Sequence, residues 1–293
     1  MDSARAAFRS LTTDNRAVAD VGRQARLELT FGCRSARTVL LHSYAEPPFR
    51  VGRVLPAGAG VHLILASSAP GIFGGDQLQQ TIVVESGAHV RLTSQSAMQI
   101  HATNAGAQAM LASTYRVENG GFLECEWDPL IPFPAAEFDQ RIHIELGQDA
   151  TLLWSDAFMA GREAKGERWL FSRLSHELRL IRGGTLAYLE RYRITPAINQ
   201  LNRRWIADEA CYFGTVLAAG AAISGELSAQ LHQRLAVISR LRASADSLDR
   251  CLLLARLVSG DGNTFHSART LATEFLKAPR LNRSVANSAD PSM

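Results

Sequence analysis

The residues best placed for chemistry lie in SSAPGIFGGDQLQQ, residues 67–80, where Gly71, Gly74 and Gly75 lead directly into Asp76. A glycine loop ending at an acid could cradle a phosphate, hold a metal ion or simply bend the chain. A phosphate loop needs a helix straight after the glycines, because the helix N-terminus supplies amide donors and the positive end of a dipole. Here QLQQTIVVE follows, a strand pattern, and no Gly-Lys-Ser/Thr occurs. The phosphate reading falls. What remains is a bend presenting Asp76 where two strands part, its carboxylate either open to a ligand or accepting turn amides.

Other reactive side chains are scattered. Cys33, Cys125, Cys211 and Cys251 lie at least 40 residues apart. Without a CxxC pair they read as free thiols in a reducing compartment rather than a zinc knuckle. His62, His89 and His143 sit within alternating strands, and no HxH or HxxxH pair occurs. No GxSxG elbow or HExxH helix is present. A hydrolase of another design and a β-rich binding module both remain open.

The elements that must position these groups are mostly strands. Residues 25–31, 37–44, 60–67, 80–85, 89–95, 141–146 and 185–194 alternate apolar with polar, the period of a strand with one buried face. One unit recurs: a strand, a glycine turn and a second strand, at 81–95, 113–127, 141–156 and 176–191. Gly87, Gly121, Gly147 and Gly184 open the second strands and are expected at positive φ. Their spacings of 34, 26 and 37 exclude a strict repeat but suit similar strand pairs stacked on one another. Late in the chain, Ser224 caps a helix lined by Leu227, Leu231 and Leu235, and 251–259 reads as a buried strand. A second helix over 261–278 is expected to stop at Pro279. The fold expected is mostly β, with stacked β-strand pairs in a β-helix-like or sandwich arrangement and about two C-terminal α-helices. It forms one domain over 1–293: β-rich at 24–222, helix-containing at 223–280 and a loose tail at 281–293.

The 293 residues carry 31 basic and 28 acidic side chains, a net charge of +3, too small to imply nucleic acid or an anionic membrane as partner. The longest notable apolar run, VLAAGAAI at 216–223, is far short of the roughly 20 residues of a membrane span. The first 20 residues lack the apolar core of a signal peptide, so a cytoplasmic location is expected.

Five segments together resemble one family. LILASSAPGIFGGDQL is similar to the glycine-rich segment of urease accessory proteins of the D type, called H in some bacteria. LTFGCRSARTVL (29–40), LTSQSAMQIHA (92–102), DPLIPFPAAEFDQR (128–141) and AGREAKGERW (160–169) follow in the family's order. The chain departs at His101, where the family often has an aromatic residue, and in lacking an Arg-x-Trp near the last helix. The resemblance implies a scaffold that is not an enzyme. It would bind urease apoprotein with an F-type accessory protein and a G-type GTPase, and assist nickel insertion. For this family an internal tunnel has been proposed as the nickel route. No cofactor would be permanently bound, and nickel(II) would pass in transit. Asp76 and Glu167, the acids inside the matched glycine motifs, are then expected to line an ion path. The alternatives are a turn carboxylate for Asp76 and a salt bridge to Arg162 or Arg168 for Glu167. The proline-rich stretch with Trp127, Pro129, Pro132, Phe133 and Pro134 is expected to be a loop or edge, serving as interface or core.

Overall fold

The structure is a computed structural model describing residues 22–287, apart from 104–106, 205 and 222, with side chains to residue 277. The first 20 residues and positions 288–293 of the expected tail lie outside the described residues.

Two sheets face each other. One contains β1 (Gln24–Arg34), β2 (Arg37–Ala45), β6 (Gln77–Val84), β9 (Ala109–Val117), β12 (Glu137–Leu146), β14 (Arg173–Arg182) and β15 (Thr185–Ile194). The other contains β3 (Phe49–Val51), β4 (Leu55–Ala57), β5 (Gly60–Ser67), β7 (His89–Ser94), β8 (Met98–Ile100), β10 (Phe122–Glu126), β11 (Leu130–Pro132), β13 (Thr151–Met159), β16 (Tyr212–Ala219), β17 (Leu241–Asp249) and β18 (Leu252–Ser259). The helices are α1 (Pro196–Asn199), α2 (Gly225–Ala236) and α3 (Gly262–Asn287).

The repeated unit becomes an arch rather than a hairpin. β6, β9 and β12 lie parallel in the first sheet, and β7, β10 and β13 lie parallel in the second. The turns between them stack by backbone bonds: Glu118 N donates to Val84 O at 2.9 Å and Gly147 N to Val117 O at 2.8 Å. Each arch alone is too small to bury its face; stacked, they enclose a core with Phe31, Tyr115, Ile144, Leu152 and Trp154 almost fully buried. The expected stacking of strand pairs is what the molecule shows.

Three details differ from the sequence reading. The fourth unit, 176–191, does not arch: β14 and β15 pair antiparallel in the same sheet. Gly183 and Gly184 have φ of 53° and 81°, the two positive values that a tight hairpin turn requires. Among the expected turn glycines, Gly121 and Gly147 are not at positive φ; Gly120 is. Finally, α3 runs past Pro279 to Asn287. Proline removes one backbone donor, but packing of Phe265, Ala268, Ala272 and Leu276 against the second sheet carries the helix through.

The other ends of the arches are joined by four return connections, at 68–76, 95–108, 127–136 and 160–172. These also stack: Ile72 N on Gln99 O, Phe133 N on Ile100 O and Ala135 N on Leu170 O, at 2.8, 2.8 and 2.9 Å. Four of the five segments that carry the family resemblance are thereby gathered at one end of the stack.

Candidate functional site

Asp76 ends the first return connection and is 1% exposed. Its Oδ1 accepts from the Arg23 amide at 2.9 Å and Arg23 Nε at 3.1 Å, and Oδ2 accepts from the Phe73 amide at 2.9 Å and from Arg23 Nη2. The same guanidinium donates to Gly71 O at 3.1 Å. Burial pushes this carboxyl up, but the Arg23 guanidinium and the Phe73 and Arg23 amides together hold it below the usual carboxylate range. Asp76 therefore fastens the glycine bend to the start of β1. Glu167 lies in the fourth connection and accepts from Arg162 Nη2 at 2.7 Å, with a second bond from Nε. Arg168 pairs instead with Glu163, at 2.6 Å. Arg162 in turn lies over the Phe133 ring at 3.9 Å, and Phe133 meets His101, which stacks on Phe73 at 4.3 Å. His101 thus fills an aromatic position within a ladder that links all four connections.

Neither carboxylate lines the hollow between the two sheets. A cavity of about 630 Å³ lies between the sheets, bordered at one end by Gly71, Ile72, Met98 and Trp169 of the return connections. Its walls carry a polar layer that interrupts an otherwise apolar interior. In the first sheet the inward residues run Leu78-Gln80-Ile82-Val84, Leu111-Ser113-Tyr115-Val117, Phe138-Gln140-Ile142-Ile144 and Leu174-His176-Leu178-Leu180. Gln80 and Ser113 are aligned and bonded at 2.7 Å. Gln140 and His176 are aligned and bonded at 3.0 Å, and His176 stacks on Tyr192 at 4.8 Å. Facing them, Asp156, Thr215 and Arg256 occupy one row across β13, β16 and β18. No periodicity argument singles out these residues, because each strand keeps its alternation. A usable signal exists: four successive strands each place one polar residue second in the inward frame.

The electrostatics of the layer are uneven. Glu190 is 8% exposed and accepts from Arg256 Nη1 at 2.6 Å. Asp156 accepts from Trp154 Nε1 at 3.0 Å and forms no ion pair among the described residues. Burial pushes Asp156 above the usual carboxylate range; His176 opposes the rise and Glu190 adds to it. Asp156 is half-buried and lines the cavity. Burial likewise pushes the Tyr192 phenol well up. Within this layer two carboxyl groups, Asp156 and Glu190, face the one guanidinium of Arg256, so a cationic guest would meet oxygen ligands here. Among the described residues, no three His, Cys, Asp or Glu side chains converge to hold a metal ion. None of the described helices is long and apolar enough to cross a membrane.

Of the proline-rich stretch, Leu130–Pro132 forms β11 alongside β8, and Trp127 packs against Trp154 at 6.2 Å, so this segment contributes to the core.

Residues 23–289 match the family model described as UreD urease accessory protein. A urease accessory protein UreD of Sorangium cellulosum is 32% identical over 183 residues, 62% of this chain and 58% of that protein. UreD proteins of Herpetosiphon aurantiacus and Lysinibacillus sphaericus are 30% and 24% identical, covering 85% and 82% of this chain and 88% and 91% of their own lengths. The chain spans under two thirds of some relatives, including the Sorangium protein, and most of others. A mostly β stack of arches with C-terminal helices, matched to one family model almost from end to end of its described residues, belongs to the UreD urease accessory protein family.

Proposed function

We propose that this chain is a urease maturation scaffold, which binds urease apoprotein with an F-type accessory protein and a G-type GTPase and assists nickel insertion. The observation that carries this reading is the family match over residues 23–289. The cavity adds a physical means. An ion handed from one protein to another needs weak, exchangeable ligands. Asp156, His176 and Glu190 offer carboxylate and imidazole groups along the wall, and a guest ion would keep water among its ligands. The chain performs no catalysis of its own, retains no cofactor and works in the cytoplasm. Asp76 and Glu167 could join such a path only by exchanging Arg23 and Arg162 for the ion. Deletion of the gene, with urease subunits still expressed, tests the reading. Urease should then accumulate with little nickel and little activity, both restored by the gene in trans. Normal nickel content in the deletion strain would refute it.

A further inference from the structure

A charged bridge crosses the cavity wall beside the last strand of the first sheet, and the inference drawn from it rests on the cavity being an ion route. Because the chain turns back at Gly183–Gly184, β15 is the last strand of its sheet, and it faces β16 and β18 across the gap. Arg256 of β18 bridges this outermost layer. Its Nη1 donates to Glu190 Oε1 at 2.6 Å and to Thr215 Oγ1 at 2.9 Å, while Nη2 donates to Tyr188 Oη at 2.9 Å. Tyr188 Oη donates to Glu190 Oε2 at 2.9 Å, completing a closed ring of bonds between the sheets. Arg256 and Glu190 are both cavity wall. The Arg256 side chain is 42% exposed, whereas that of Glu190 is 8% exposed.

That asymmetry makes one partner movable and the other fixed. The Arg256 guanidinium sits on a long, partly exposed stem, and its three bonds can be exchanged when an arriving cation compensates Glu190. Glu190 cannot follow, and without a counter-charge it would be a buried unpaired carboxylate, which is expensive. We propose that Arg256 is an exchangeable plug: clasped to Glu190 it shuts the last layer, and a cation arriving inside replaces it. The swap keeps the charge on Glu190 compensated throughout. It opens that end of the hollow and turns Glu190, which already shares the cavity wall with Asp156, toward the guest.

Three of the four tryptophans supply a probe, since Trp127, Trp154 and Trp169 line the cavity. Acrylamide quenching of intrinsic fluorescence is measured on the full chain, with circular dichroism verifying the fold. Arg256→Ala should raise the Stern–Volmer constant about twofold over wild type, as local opening admits the quencher. Arg191→Ala removes an arginine paired to the exposed-face Glu177 at 2.7 Å and should leave quenching unchanged. Glu190→Gln keeps the side-chain shape, loosens the clasp and should also raise quenching, which covers the case in which Arg256→Ala does not fold. Unchanged quenching in Glu190→Gln and in any folded Arg256→Ala would overturn the plug, as would an equal rise in Arg191→Ala. This outcome is separable from failure of the route itself, which is read from urease nickel content and not from fluorescence.

Discussion

At the scale of residues, the same side-chain type does opposite work in two places. Asp76 is buried with a guanidinium and two amides, and Asp156 is half-buried on the cavity wall with one indole N–H. The first is held below the ordinary carboxylate range and the second lies above it. Their pH signatures must therefore differ in sign. A depressed carboxyl stabilises the fold above its unfolded pKa, and that contribution is lost as pH falls through the folded value. Asp76→Asn should lower Tm at neutral pH, and its deficit relative to wild type should shrink in acid. A raised carboxyl costs stability once it ionises. Asp156→Asn should raise Tm at neutral pH by roughly 2–4 °C, the gain fading as pH falls through the folded value. A thermal melt series from neutral to acid pH reads both. A stabilised Asp76→Asn or a destabilised Asp156→Asn at neutral pH would show that the local environments have been misassigned. Asp76 stands out in the sequence because glycines surround it. Asp156 does not, because SDAFM reads as an ordinary strand end and its isolation is created by residues from β14, β15 and β18.

At the scale of elements, the arches were legible because alternation and glycine turns are local properties. Whether a strand–turn–strand unit arches between sheets or folds back within one is not local in the same way. It depends on the turn conformation, and GG at 183–184 permits the hairpin that ESG at 85–87 does not form. Gly184 gives a clean test, since a Cβ placed there would meet nothing within 4 Å while φ is +81°. Gly184→Ala should destabilise by about 1–2 kcal/mol from backbone strain alone, measured by urea denaturation. A neutral Gly184→Ala would mean that the turn is not held in this conformation. The helix ends show the converse limit. Ser224 caps α2 as its sequence foretells, its Oγ accepting from Leu227 N at 3.2 Å. Pro279 fails as a stop because tertiary packing along the preceding turns of α3 outweighs one missing backbone donor. The return connections explain the spacing of four of the five family segments, since each of the four lies on one loop of the same stacked end.

At the scale of the whole molecule, the stack of arches does what a compact core would not. Its two sheets stay far enough apart around the polar layer to leave a hollow whose wall holds Asp156, outside any ion pair among the described residues, and a charged bridge from Arg256 to Glu190. The direct measurement is the nickel content of urease matured with the Asp156→Asn chain, compared with wild type at equal chain abundance. We predict that the variant, although the more heat-stable protein, leaves urease with markedly less nickel. Urease fully loaded by Asp156→Asn would contradict the route through the cavity.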